Sequence, residues 1–253
     1  MPNRRSLVIA ALSLTAVTSI QAWSLDLNLG SGERVRGSGE ITSEARDLGA
    51  FDAISLAADF KVLVRQGNTP RVELKADSNL LPLIETRIVA GNKGRTLEIA
   101  PKRGYSLSAS VTPQITLEMA QLRAISIAGS GEVRVEAMHT PSIEASIAGS
   151  GDIQLLDLNI EHLALKVSGS GDIMASGRAA SLKVSVAGSG DVRTRALEAE
   201  DVKVSIAGSG DVQVQARKQL SVSIAGSGDV GYAGAPEIST SVAGSGKVHK
   251  LSN

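Results

Sequence analysis

From residue 121 onward, apolar and polar positions alternate with a period of two, and one tripeptide, Gly-Ser-Gly, interrupts the alternation at regular intervals. In the stretch 142–155, Ile143, Ala145 and Ile147 alternate with polar or small residues. Gly149-Ser150-Gly151 then breaks the run, and Ile153 and Leu155 resume it. Aligned on the tripeptide, two columns hold only β-branched residues: Ile127, Ile147, Val167, Val186, Ile206, Ile224 and Val242 before it, and Val133, Ile153, Ile173, Val192, Val212, Val230 and Val248 after it. Period-two alternation of such residues predicts strands with one buried face. The tripeptides begin at Gly129, Gly149, Gly169, Gly188, Gly208, Gly226 and Gly244, 18–20 residues apart. Spacing of that order means one supersecondary unit stacked many times. The pattern therefore predicts an all-β, single-chain β-solenoid (β-helix) of about 18–20 residues per rung, each rung built from two main strands and paired in parallel with its neighbours about 4.8 Å away. A hairpin barrel would alternate long and short connections, which this spacing does not.

The tripeptides are read as corners. Gly129, Gly131, Gly149, Gly151, Gly169, Gly171, Gly188, Gly190, Gly208, Gly210, Gly226, Gly228, Gly244 and Gly246 supply backbone angles closed to other residues and let successive corners approach closely.

The rest of the chain divides by composition. Residues 1–22 read as a signal peptide: Arg4 and Arg5, an apolar run from Leu7 to Val17, and a small residue, Ala22, at the cleavage point. Residues 23–50 form a polar, Gly-rich lead-in, and 51–250 a single solenoid domain with irregular rungs over 51–120 and regular ones over 121–250. Leu80-Leu81-Pro82-Leu83 suggests a short helical turn. The chain has no cysteine, so an exported product would rely on burial and backbone hydrogen bonds for its stability. Lys and Arg balance Asp and Glu at 26 each, which gives no field to attract nucleic acid, and aromatics at 2% are too few for a stacking platform.

Beyond the repeats, Phe51-Asp52-Ala53-Ile54, Phe60-Lys61-Val62-Leu63-Val64-Arg65-Gln66-Gly67, Ala76-Asp77-Ser78-Asn79-Leu80-Leu81 and the recurring Gly-Ser-Gly-Asp resemble the putative auto-transporter adhesin, head GIN domain family over about residues 38–247. The resemblance implies an exported bacterial β-solenoid of right-handed coil, and it carries no catalytic residues.

The candidate chemistry lies at the corners. Glu132, Asp152, Asp172, Asp191, Asp211 and Asp229 each follow a tripeptide, one acid per rung. Such a ladder has two readings: a row of calcium ligands through Asp152, Asp172, Asp191, Asp211 and Asp229, or carboxylates that accept hydrogen bonds from turn N–H groups. The second is preferred, because the shorter period of known calcium-binding solenoid repeats is absent. A serine column (Ser126, Ser146, Ser185, Ser205, Ser223, Ser241, interrupted by Lys166) should face outward. His139, His162 and His249 follow no metal-ligand spacing, and no nucleophile elbow, phosphate loop or zinc-protease motif occurs.

The expectation is a non-enzymatic, exported module, periplasmic or at the cell surface, needing no cofactor and presenting a flat face to an envelope protein or glycan. It would bind no nucleic acid, have no transmembrane segment in its mature form, and be capable of homo-oligomerising. The alternatives are a carbohydrate-active enzyme with a groove in 51–120, or a calcium-stabilised scaffold. Lys247, His249 and Lys250 are expected to form a charged cap on the last rung.

Overall fold

The computed structural model describes residues 32–91 and 94–252; the signal-peptide reading of 1–22 lies outside them. In chain order the strands are β1 (Glu33–Arg36), β2 (Ile41–Arg46), β3 (Ala53–Leu56), β4 (Lys61–Gln66), β5 (Arg71–Asp77), β6 (Ile84–Gly91), β7 (Gly94–Pro101), β8 (Tyr105–Ser108) and β9 (Gln114–Met119). A 3-10 turn over Leu81–Leu83 precedes β6, at the predicted helical turn. The regular part follows with β10 (Ala124–Gly129), β11 (Glu132–Glu136), β12 (Ser142–Gly149), β13 (Asp152–Gly169), β14 (Asp172–Gly188), β15 (Val192–Gly208), β16 (Val212–Gly226), β17 (Val230–Gly234), β18 (Glu237–Gly244) and β19 (Val248–Lys250).

Two parallel ladders run the length of this β-solenoid. Face A stacks β7, β3, β10, β12, the second halves of β13 to β16, and β18. Face B stacks β9, β4, β11, the first halves of β13 to β16, β17 and β19. A short third ladder, unforeseen in the sequence, aligns Asn159, Arg178, Glu198 and Gln215. The bend leading into it holds Asp157 at φ 52° in the second regular coil.

The β-branched columns form the core. Ile127, Ile147, Val167, Val186, Ile206 and Ile224 line face A inside, and Val133, Ile153, Ile173, Val192, Val212 and Val230 line face B; all twelve are buried. Burying each such side chain contributes about 1.5–3 kcal/mol. Thr194 replaces an aliphatic residue among them, and its hydroxyl donates to the Gln213 carbonyl at 2.9 Å, so no polar atom there is left unpaired.

Stacking order departs from chain order at one end. The β3–β4 rung lies between the β7–β9 rung and the β10–β11 rung, although it precedes both in sequence. Asp52 fastens this crossing. Its carbonyl accepts the Arg123 N–H at 2.7 Å, and its carboxylate accepts the Arg95 N–H at 2.9 Å and faces the Arg123 guanidinium. Antiparallel strands close the same end: β6 covers β7, β5 covers β9, and β2 covers β5. Residues 33–46, which read as lead-in, thus contain β1 and β2.

Candidate functional site

The corner is the repeated site, and its geometry starts from a backbone contact. In every corner from the second on, the Ser N–H donates to the carbonyl of the first glycine one coil back, 2.9 Å from Ser150 to Gly129 and from Ser245 to Gly226. That carbonyl occupies the space a Cβ on the next glycine would need. The first glycines also have φ between 114° and 143°. The second glycines do not, yet a Cβ on Gly151, Gly171, Gly190, Gly210, Gly228 or Gly246 would overlap the preceding corner's carbonyl and crowd an Ile or Val methyl of the core. Close approach, more than backbone angle, requires glycine at that second position.

The acids extend this contact to side chains. The N–H groups of Asp152 and Asp172 still reach backbone, the carbonyls of Gly131 (2.9 Å) and Gly151 (3.2 Å). From the next coil the pattern changes. Asp191 N–H donates to Asp172 Oδ1 at 3.0 Å, Asp211 to Asp191 at 3.1 Å, Asp229 to Asp211 at 3.0 Å, and Lys247 to Asp229 at 2.8 Å. The carboxylates of Asp172, Asp191, Asp211 and Asp229 therefore each cap the corner of the following coil. Cations punctuate the column: Lys61 meets Glu132 at 3.2 Å, and Arg193 bridges Asp172 (3.2 Å) and Asp191 (2.9 Å). Among the described residues no three acidic, His or Cys side chains gather as ion ligands.

Three further features, two on the surface and one buried, complete the description. On face A two of the outward columns are the serines at 126, 146, 185, 205, 223 and 241 with Lys166, and Ala128, Ala148, Ser168, Ala187, Ala207, Ala225 and Ala243, all held in register, while the column on the other side of the serines carries Glu144, Lys183 and Lys203. The result is a flat strip of short side chains. Along the third ladder, Asn159, Arg178, Glu198 and Arg217 line a shallow groove of about 310 Å³. Its charges are mutually paired, Glu198 with Arg178 and Arg217, and Glu200 with Lys218. The Lys218 ammonium draws the Glu200 carboxyl below its usual range. His162 lies on face A, with Nδ1 2.8 Å from Ser181 Oγ, and His139 pairs by backbone with Gln66.

The third feature, Asp77, sits under the closed end and had no role assigned from sequence. It is fully buried. Its carboxylate accepts the Ser110 hydroxyl (2.6 Å), the Ser110 N–H (2.9 Å) and the Gly39 N–H (2.7 Å). The Ser110 hydroxyl is the main cause that holds its carboxyl below the usual range. The sequence signal was an acid where the inward series Val72, Leu74, Ala76 ends.

Solved structures share the architecture. A putative lipid binding protein from Parabacteroides distasonis is 25% identical, with 87% of this chain and 100% of that chain covered and a TM-score of 0.71. A putative adhesin from Bacteroides fragilis is 24% identical, with 86% and 100% covered and a TM-score of 0.77. Another from Parabacteroides merdae is 20% identical, with 87% and 100% covered and a TM-score of 0.69. No curated protein matches the sequence. Buried Phe51, Ala53, Ile54, Phe60, Val62 and Val64, the Asp77 clamp and the stacked corners make up the framework of this domain, and with the match over residues 50–236 the chain belongs to the family of the putative auto-transporter adhesin, head GIN domain.

Proposed function

We propose that this chain is an exported, non-catalytic binding module that presents face A to a protein or glycan of the cell envelope. The observation that carries the reading is the strip of Ser and Ala columns, kept in register from β10 to β18 with no bulky side chain in either column except Lys166. Short side chains on a flat sheet let an extended partner lie close, and serine hydroxyls donate and accept hydrogen bonds without the ordering cost of long side chains. The family's adhesin description supports the same reading.

The test is cosedimentation of the purified protein with envelope fragments and with the purified glycans of that envelope. The triple variant Ser146→Arg, Ser185→Arg, Ser205→Arg should lose binding and keep its melting temperature. Equal binding by the variant overturns the assignment to face A. A liposome arm addresses the neighbour described as a putative lipid binding protein. Release of reducing or unsaturated ends from a polysaccharide panel would establish a carbohydrate-active enzyme instead.

A further inference from the structure

The two ends of the stack are built differently. At the closed end, β6 covers the edge of β7, and β5 with β2 covers the edge of β9. Arg46 fills in the polar work there, donating to the carbonyls of Ile84 (2.6 Å) and Leu81 (2.8 Å). At the other end β18 and β19 each pair on one side only among the described residues. Leu251 extends the face B ladder past β19, with its N–H on the Tyr232 carbonyl and its side chain beside Gly231. Lys247, His249 and Lys250 follow that course too, so the charged cap expected from the sequence does not extend over β18.

Face A is consequently open at β18. Ile238, Thr240 and Val242 stand in register with buried Leu220, Val222 and Ile224. They are the inward row of the last coil, yet Ile238 and Val242 are 40% and 44% exposed. The devices that usually blunt an edge, a lysine, a proline or a bulge within the strand, are missing from Ile238 to Gly244.

The sequence of this edge is chemically palindromic: Ile238-Ser239-Thr240-Ser241-Val242. Laid antiparallel against itself with Thr240 on the dyad, it sets Ile238 opposite Val242 twice, Ser239 opposite Ser241 twice, and Thr240 opposite Thr240. Each is a favourable cross-strand pair, and no like charges meet. A dyad normal to face A keeps both apolar rows on the core side, so the two cores become continuous. Two departures from the repeat fit this arrangement. The aliphatic column reaches Thr240, and the acidic column reverses sign at Lys247. The pairing brings the Glu237 end of one strand beside the partner's 244–246 corner, which Lys247 follows, so opposite charges approach.

We infer that two copies of this chain join end to end through antiparallel pairing of β18 with β18 about a two-fold axis at Thr240. The opposite end finishes in β6 and β2, edge strands of unrelated sequence that carry Glu85, Arg87, Glu44 and Arg46, and the two-fold pairing uses β18 of both copies, so assembly stops at two. The inference is independent of what face A binds.

The experiment is light scattering on the size-exclusion peak across about a hundredfold dilution. The expected result is a dimer that dissociates on dilution. Thr240→Arg, which sets two guanidinium groups face to face, should raise the dissociation constant at least about tenfold without lowering the melting temperature of dilute protein. Ser223→Arg, on the outer side of the previous coil, should leave dimerisation unchanged. Glu237→Lys should weaken the dimer, and Glu237→Lys with Lys247→Glu should restore it. Thr240→Cys tests the dyad by a second readout, because the chain has no other cysteine and directly opposed residues lie within disulfide reach. Oxidation should give a covalent dimer. A monomer at every concentration, filaments, a dimer untouched by Thr240→Arg, or failure of Thr240→Cys to cross-link would each overturn the inference.

Discussion

The second glycine of a corner and the serine before it occupy adjacent positions but face opposite constraints. A Cβ at Gly190 would collide with the Gly171 carbonyl and with Val167, whereas Ser189 points into solvent. Gly190→Ala is expected to cost about 3 kcal/mol, and Ser189→Ala to stay within about 0.5 kcal/mol, as measured by urea unfolding. The acids separate by a similar comparison. Asp191→Ala removes the acceptor for the Asp211 N–H and should cost about 1 kcal/mol, while Asp191→Asn keeps an oxygen there and should cost less. Because Asp172, Asp191, Asp211 and Asp229 each already accept a backbone N–H, added calcium should leave the melting temperature unchanged. A calcium-dependent rise would revive the ligand reading of the ladder.

Among the elements, the closing strands depend on Asp77. Its folded-state pKa lies below its unfolded value, so its contribution is complete above the unfolded pKa and is lost as pH falls through the folded one. In melts carried from neutral pH to below about pH 4, the wild-type melting temperature should fall more steeply than that of Asp77→Asn. Parallel slopes would remove Asp77 from the account. The regular coils were legible in the sequence because each residue in a column meets its own equivalent one coil away: Ile147 stacks on Ile127, and Gly149 on Gly129. The closed end was not legible, because β2, β5 and β6 pair antiparallel with strands of unrelated sequence. Gly37-Ser38-Gly39 shows the difference. It repeats the corner tripeptide, but it wraps the Asp77 carboxylate, with Gly39 donating to it and Gly37 packed against it. The direction of the aspartate hydrogen bonds was equally hidden, since spacing gives the column but not which coil's N–H a carboxylate will meet.

At the scale of the whole molecule, coils behave as exchangeable units. Removing residues 189–208 joins Gly188 to Ser209 and leaves the columns in phase, because Gly188 and Gly208 are register partners. The shortened protein should keep its circular dichroism spectrum per residue and melt cooperatively. Removing 199–208 alone deletes a face A strand without its face B partner and should abolish the cooperative melt. The crossing fastened by Asp52 sets the order in which such a stack can assemble. Each regular coil finds its partner about one repeat away in sequence, but β3 must wait for β7 and β10, which arrive some 40 and 70 residues later. Closing those long loops is the slow step, since their entropy is lost before any contact repays it. Once the crossing has formed, the remaining coils can add one at a time onto an edge already in place, so the chain should fold as a zipper running from its closed end toward β18.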